Sequence, residues 1–149
     1  MDGQDERDRR TERMVMDKRR IRVTAGGVSV TATLNQSQTA NLLWDALPLE
    51  GSANTWGDEI YFRIAVQADE EDGASDVVEM GAVAYWPPGQ ALCLFFGRTP
   101  ASRGDEIRAA SAVNALGRIE GDATVLKQVR SGARVVVETY IDGQDGEDG

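Results

Sequence analysis

Aromatic side chains beside two turns are the residues of this sequence best suited to hold a ligand. One group precedes a strand-like segment that begins at Glu59, and the other ends at a Pro-Pro-Gly turn, residues 87–89. Aromatic rings with a polar edge, held beside proline and glycine, often line binding grooves. The same rings also suit the ends of a hydrophobic core, so both interpretations stay open. The predicted ligand-binding residues are Asn54, Trp56, Tyr61, Tyr85, Trp86, Phe96 and Asn114.

Glu59 is the acid best placed for chemistry, because it begins a strand close to Trp56. A carboxyl group packed against an aromatic ring has a raised pKa and can act as an acid or a base. The alternative is an ordinary surface acid at the end of a strand. For Asn114, the alternative to ligand binding is a hydrogen bond to the backbone of a loop.

Histidine is absent from the sequence, which removes the commonest general base and the usual metal ligand. We therefore predict no metal site and no cofactor. The single cysteine, Cys93, lies in the apolar run of residues 91–96 and is predicted to be a buried core thiol rather than a nucleophile.

The charge of the chain disfavours nucleic acids and anionic membranes as partners. The net charge is −9, and residues 21–140 carry most of it. Basic residues are 14 arginines and only Lys18 and Lys127, a composition that suits high salt and predicts a salt-tolerant source. The alternative is the ordinary acidic bias of a high-GC genome.

The longest apolar run is strand-sized and the first residues are charged, so we expect a cytoplasmic protein without a membrane span.

Three regions follow from the composition: a disordered charged arm over residues 1–20, one folded domain over residues 21–140, and a disordered acidic tail over residues 141–149. Period-two patterns predict strands within the domain, at residues 21–24, 28–33, 59–66, 77–80, 82–86, 91–96, 113–119 and 133–140.

Two short helices interrupt the strands. The first follows a cap at Asn35 or Ser37, with Gln38 as partner of Asn35, and stops before Pro48. The second follows a cap at Asp122. Residues 49–56, 68–76 and 97–108 are predicted as loops. The order of elements predicts a mainly β fold: a closed barrel of about eight strands with the two helices capping its ends.

Four segments resemble cyclophilins in the correct order: residues 39–43 (TANLL), 61–64 (YFRI), 94–96 (LFF), and 116–121 (LGRIEG) followed by 125–129 (VLKQV). Longer strings are similar to a group of small prokaryotic cyclophilin-like proteins of unassigned function. These are residues 54–62 (NTWGDEIYF), 81–97 (GAVAYWPPGQALCLFFG) and 110–114 (ASAVN). The resemblance implies a cyclophilin-like barrel over residues 21–140.

Cyclophilins isomerise prolyl peptides in a groove on the outer face of the barrel, where an arginine binds the prolyl carbonyl. The resemblance places Arg63 at that position and Phe96 or Phe95 at the apolar wall. The histidine of the family is missing, since Val113 or its neighbour occupies its place, and an acidic loop replaces a glutamine-glycine-glycine segment.

Three hypotheses result. The leading one, which leans away from catalysis, is a module that binds a peptide or small molecule in a groove lined by the aromatic loop residues. The second is a weak or atypical prolyl isomerase that depends on Arg63. The third is a hydrolase or lyase that uses Glu59, by analogy with related barrels in lactam- and urea-processing enzymes.

Overall fold

A computed structural model describes residues 19–141, and this part of the chain is mainly β. The strands are β1 (Arg20–Ala25), β2 (Val28–Leu34), β3 (Leu49–Ser52), β4 (Asn54–Thr55), β5 (Glu59–Arg63), β6 (Ser75–Val78), β7 (Ala82–Trp86), β8 (Ala91–Phe95), β9 (Ile107–Ile119) and β10 (Arg134–Tyr140). The helix α1 spans Gln38–Ala46, and 3-10 helices cover Pro87–Gly89 and Ala123–Gln128. The mainly β fold class is confirmed.

The predicted arm and tail fall outside the described residues, except for Arg19, Arg20 and Ile141. Arg19 is buried, and Arg20 already belongs to β1. None of the helices between residues 19 and 141 has the length and apolar character that a bilayer crossing requires.

The strands form one path of hydrogen-bonded neighbours, in the order β3-β10-β1-β2-β9-β7-β8-β5-β4, with β6 attached to β9 beside it. Its two terminal strands, β3 and β4, are not paired with each other in the described part of the chain, so the predicted closed barrel is not confirmed. The two ends of the sheet nevertheless come close to each other at β3 and β5, the strand next to β4. A Cβ on Gly51 of β3 would lie 3.1 Å from the carbonyl oxygen of Arg63 in β5.

Two predicted loops contain strands. Residues 49–56 were expected to be irregular, but β3 pairs with β10 and β4 pairs with β5, which raises the number of strands to ten. Residues 97–108 were also predicted as a loop, but β9 begins at Ile107 and runs for 13 residues. Both predictions were wrong because these strands are defined by backbone pairing, of β3 and β9 with distant segments and of β4 across a short turn, and not by a local apolar alternation.

Two hydrophobic clusters lie on opposite faces of β5, β7 and β8, because successive side chains of a strand point to opposite sides. We call the larger one the main core; these three strands contribute Ile60, Phe62, Val83, Tyr85, Leu92 and Leu94 to it. The smaller one, the outer cluster, consists of Ala82, Ala84, Cys93, Phe95, Ile107, Ala109 and Val113. The first half of β9, paired with β6, supplies three residues of the outer cluster.

Both predicted helical segments form, the second as a 3-10 helix. Ser37 is the N-cap of α1 and accepts a hydrogen bond from the backbone nitrogen of Ala40 at 3.2 Å. Asn35 does not pair with Gln38, which is the first helical residue; its side chain accepts from the backbone nitrogen of Ser37 instead. Asp122 caps the 3-10 helix Ala123–Gln128 as predicted.

Candidate functional site

A cavity of about 250 Å³ opens on the outer face of the sheet, beside the outer cluster. We call it the outer-face cavity. Strands β5, β7 and β8 form one side of it, and the first half of β9 forms the other. Its lining residues are Trp56, Glu59, Tyr61, Trp86, Cys93, Ala109, Ala110 and Val113.

The alternation of β5 explains why Glu59 and Tyr61 both reach this cavity. Ile60 and Phe62 enter the main core, so Glu59 and Tyr61 lie on the opposite face. Across the β5–β8 pairing, Tyr61 lies opposite Cys93. One strand therefore presents a carboxyl group and a phenol side by side.

A tight turn brings Trp56 to the same place. The backbone nitrogen of Trp56 donates to the carbonyl oxygen of Glu59 at 2.9 Å, which closes the hairpin between β4 and β5. Gly57 within this turn has φ +62°, and a Cβ there would lie 2.9 Å from the carbonyl oxygen of Arg98. A glycine is therefore required, both for the backbone conformation and for the space.

Trp86 is held at the cavity by contacts on two sides. Its indole Nε1 donates to the Oγ of Ser111 in β9 at 2.6 Å. On the other side, the Pro-Pro-Gly turn packs so closely that a Cβ on Gly89 would lie 2.5 Å from the indole ring. The turn and the serine together fix the orientation of the ring, as a preformed binding site requires.

Glu59 is the acidic residue of the cavity, and it is only 5 % exposed. Its Oε1 atom is buried and has no hydrogen-bond partner among the described residues. Burial raises the pKa of this carboxyl to about 7, while the neighbouring Cys93 thiol lowers it by a smaller amount. Burial also raises the pKa of Cys93 well above its usual value, so this thiol stays protonated at neutral pH.

Within residues 19–141, no basic side chain lines the cavity. The nearest candidate along β9, Arg108, is engaged elsewhere, because its guanidinium binds Asp76 and Glu106 at 2.5 Å each. Nor does the described chain bring together three acidic or cysteine side chains as a metal site would need.

Four of the predicted site residues meet at the cavity: Trp56, Glu59, Tyr61 and Trp86. The other five lie elsewhere. Tyr85 precedes Trp86 in β7 and therefore points to the opposite face. It is 1 % exposed in the main core, where its hydroxyl donates to the carbonyl oxygen of Val66 at 2.7 Å and accepts from the nitrogen of Ala68.

Phe96 is also in the main core, whereas Phe95 belongs to the outer cluster. Sequence order alone does not say which of the two adjacent rings faces outward. Phe96 therefore does not share a face with Arg63, whereas Phe95, the other candidate for the apolar wall, lies on the same face of the sheet as Arg63. Arg63 itself is exposed on β5, two residues beyond Tyr61, and it does not line the outer-face cavity.

Asn114 is 1 % exposed and holds the acidic loop in place. Its side chain accepts from the backbone nitrogen of Glu71 at 2.8 Å and donates to the carbonyl oxygen of Asp69 at 2.9 Å. Glu71 in turn accepts from the backbone nitrogen of Thr39 in the first turn of α1. The predicted loop of residues 68–76 is thus tied to both β9 and α1. Asn114 forms its hydrogen bonds with the backbone of this loop.

Asn54 lies on the exposed strand β4, where its amide reaches the carbonyl oxygen of Tyr61 at 3.4 Å. The sequence reasoning missed Ala109 and Ala110 as parts of the wall, because it predicted a strand only from Val113 onward and a loop over residues 97–108. The alternation of Ile107, Ala109 and the later Val113 was the available signal, and it was weak because the intervening side chains are small.

Comparison with known proteins agrees with this architecture. A family model described as Cyclophilin-like matches residues 19–138. The solution structure of the hypothetical protein AF2241 from Archaeoglobus fulgidus has 44% sequence identity and a TM-score of 0.72, covering 83% of this chain and 96% of that one. A search of curated proteins gave no match. On the family match over most of its length, this chain belongs to the cyclophilin-like family.

Proposed function

We propose that this protein is a binding module that takes a small ligand, or one side chain of a peptide, into the outer-face cavity. The carrying observation is the buried Oε1 of Glu59, which has no hydrogen-bond partner among residues 19–141, in a residue that lines a cavity formed mostly by aromatic and aliphatic groups. A polar atom left unsatisfied in an apolar site is destabilising unless something else supplies the partner. A bound ligand would supply it.

The size of the cavity limits the ligand. Its volume of about 250 Å³ is below the ~300–1,000 Å³ of sites that enclose drug-sized molecules. A head group of a few heavy atoms fits this space, whereas several residues of an extended peptide do not. This favours a small molecule, or a single side chain inserted from a larger partner.

A fragment screen by protein-observed NMR tests the proposal, with Ala110→Phe as the blocking variant. Ala110 is exposed at the cavity wall, so a phenyl ring there fills the space without disturbing the main core. We expect fragments to shift the indole resonances of Trp56 and Trp86 in the native protein and not in this variant. Ala115→Phe, exposed on the same strand but outside the cavity, is the matched control. Equal binding by the native protein and the Ala110→Phe variant contradicts the proposal.

A second candidate is proton transfer to or from a bound substrate by Glu59, as in a hydrolase or lyase. The observation that favours it is a buried carboxyl with a pKa of about 7 that shares a cavity with the Tyr61 phenol. A group that titrates near neutral pH can both accept and donate a proton at useful rates.

Turnover of a panel of small lactams and ureas, followed by proton NMR, tests this candidate. Support would be product formation that titrates near pH 7 and falls about 100-fold or more in the Glu59→Gln variant. Absence of turnover by the native protein, or equal turnover by the variant, contradicts it.

The isomerase hypothesis rests on Arg63 with Phe95 as the apolar wall, because Phe96 faces the main core. A protease-coupled assay on a prolyl tetrapeptide tests it. Activity that disappears in the Arg63→Ala variant supports the hypothesis, and activity that is unchanged in that variant refutes it.

A further inference from the structure

We infer that the outer-face cavity selects organic cations, taking a substituted ammonium group against Glu59 and the rings of Trp56, Tyr61 and Trp86. This inference rests on the proposed binding function and names the chemical class of its ligand.

The charge of the lining residues is the first argument. Glu59 supplies the carboxylate of the lining and is only 5 % exposed, and no lysine or arginine among residues 19–141 lines the cavity with it. An unpaired buried carboxylate is strongly disfavoured, and pairing with an opposite charge relieves most of that penalty. A cationic ligand is therefore the partner that the described part of the chain does not provide.

The aromatic side chains are the second argument. Two indoles and a phenol line the same cavity as the carboxyl group. The face of each ring attracts a positive charge, most strongly for tryptophan, and the attraction grows when the cation is desolvated. The hydrogen bond from Trp86 to Ser111 keeps one indole in place before a ligand arrives.

The remaining lining residues favour an organic cation over a metal ion as the ligand. Ala109, Ala110 and Val113 offer only methyl groups, which suit the methyl or methylene groups of a substituted amine. Hard metal ions such as Ca²⁺ require six or more oxygen ligands, and one carboxyl group and one phenol do not provide them. Anions are repelled by Glu59 once it is ionised.

The affinity of the cavity for a cation should depend on pH, in a direction set by Glu59. The pKa of Glu59 is raised to about 7 by burial, so a cation must bind in competition with a proton at this carboxyl. The other titratable lining groups are Tyr61 on β5 and Cys93 on β8; β7 and β9 present only Trp86, alanines and valine there. Asp76 of β6, which pairs with β9, is bound to Arg108. Binding should therefore strengthen as the pH rises through 7 and should release a proton.

Choline and its neutral isostere 3,3-dimethyl-1-butanol are the matched probes, because they differ mainly in charge. Titration is followed by the indole resonances of Trp56 and Trp86. We expect choline to bind at least about tenfold more tightly than the alcohol, and more tightly at about pH 8 than at about pH 6. In the Glu59→Gln variant choline should lose about tenfold in affinity while the alcohol is unaffected.

A second arm identifies the source of the cation. A short peptide that contains trimethyllysine is titrated beside choline. Tighter binding of the peptide would indicate a protein side chain as the ligand, and tighter binding of choline a free small molecule; both support the inference.

The outcomes separate the two proposals. Equal affinity for choline and the alcohol, or choline binding that weakens as the pH rises, overturns the cation inference and leaves a binding module for neutral ligands. The second result would indicate that protonated Glu59 donates a hydrogen bond to the ligand. If neither probe nor any fragment binds at the cavity, both the inference and the proposed function fail.

Discussion

At the scale of the residue, Glu59 is the side chain whose position most needs a functional explanation. It lies at the start of β5, where a surface acid would be ordinary, yet it is only 5 % exposed and lines a cavity whose other side is formed by β9. Its pKa is raised by burial, which is the effect that the nearby tryptophan had suggested from sequence. The pKa of Glu59 is shifted in the direction opposite to that of exposed acids such as Glu120, whose pKa is lowered mainly by a hydrogen bond from Arg20.

This difference predicts how stability depends on pH. The pKa of Glu59 is about 7 in the folded protein and near 4.5 when exposed, so the folded state holds its proton more tightly. The resulting stabilisation is complete below about pH 4.5 and is lost as the pH rises through 7; it amounts to on the order of 3 kcal/mol. The free energy of unfolding of the native protein, relative to that of the Glu59→Gln variant, should fall by about this amount between pH 5 and pH 8.

Chemical denaturation at several pH values, with the native protein and the variant side by side, provides the measurement. The comparison with glutamine removes the contributions of Glu106, Glu120 and Asp122, whose lowered pKa values act in the opposite sense. Parallel stability curves for the two proteins would show that Glu59 is ionised normally and that the cavity is open to water.

At the scale of the element, β9 completes the outer-face cavity, because its first half forms one of the two sides. Its second half pairs with β7 and β2 within the main path of the sheet, and its first half pairs with β6 and covers the outer face. Gly117 lies in the second half, where it pairs with Leu34 of β2 on one side and with Val83 of β7 on the other. A Cβ at this position would collide with the carbonyl oxygen of Thr33 and would lie 3.0 Å from the Cα of Leu34.

We therefore expect Gly117→Ala to destabilise the protein by about 2 kcal/mol or more, since both obstacles are backbone and cannot rotate away. Gly27→Ala is the matched control: no atom lies within 4 Å of the added Cβ, so its effect should stay within about 0.5 kcal/mol. Thermal and urea unfolding of both variants give the comparison. Similar stability of the two variants would mean that β2 and β9 are not packed as closely as described.

The elements also show where sequence reasoning succeeded. Strong alternation defined β5, a continuous apolar run defined β8, and the capping residues Ser37 and Asp122 marked both helical starts. Sequence reasoning failed for β3, for β4 and for the first half of β9. Distant partners complete the hydrogen bonds of β3 and β9, β4 is a two-residue strand paired across a tight turn, and residues such as Gly51 and Ala110 carry no strong strand preference of their own.

At the scale of the whole molecule, the excess of acidic residues predicts an effect of salt on stability. The chain has a net charge of −9 with only two lysines. Salt shortens the range of repulsion among like charges from roughly 30 Å at 0.01 M to about 3 Å at 1 M. It also weakens surface ion pairs such as Arg20 with Glu120 and Arg134 with Glu50, which acts in the opposite direction.

For a salt-adapted protein we expect relief of repulsion to dominate, so that the Tm rises from low to molar KCl. Melting curves in KCl measure the balance, and the same series for a variant without the Arg134–Glu50 pair, Arg134→Gln, shows how much this exposed ion pair contributes. A Tm that stays constant or falls with KCl contradicts salt adaptation.

The sequence by itself determined the family, the mainly β class, the absence of imidazole chemistry, and four residues that meet at the cavity: Trp56, Glu59, Tyr61 and Trp86. Local alternation and turn chemistry carry that information. The tertiary structure decided which of two adjacent aromatics faces outward, so that Trp86 lines the cavity and Tyr85 does not. It also decided that Glu59 is buried in a cavity shared with the first half of β9, because that wall comes from a strand some fifty residues away that no local pattern around Glu59 encodes.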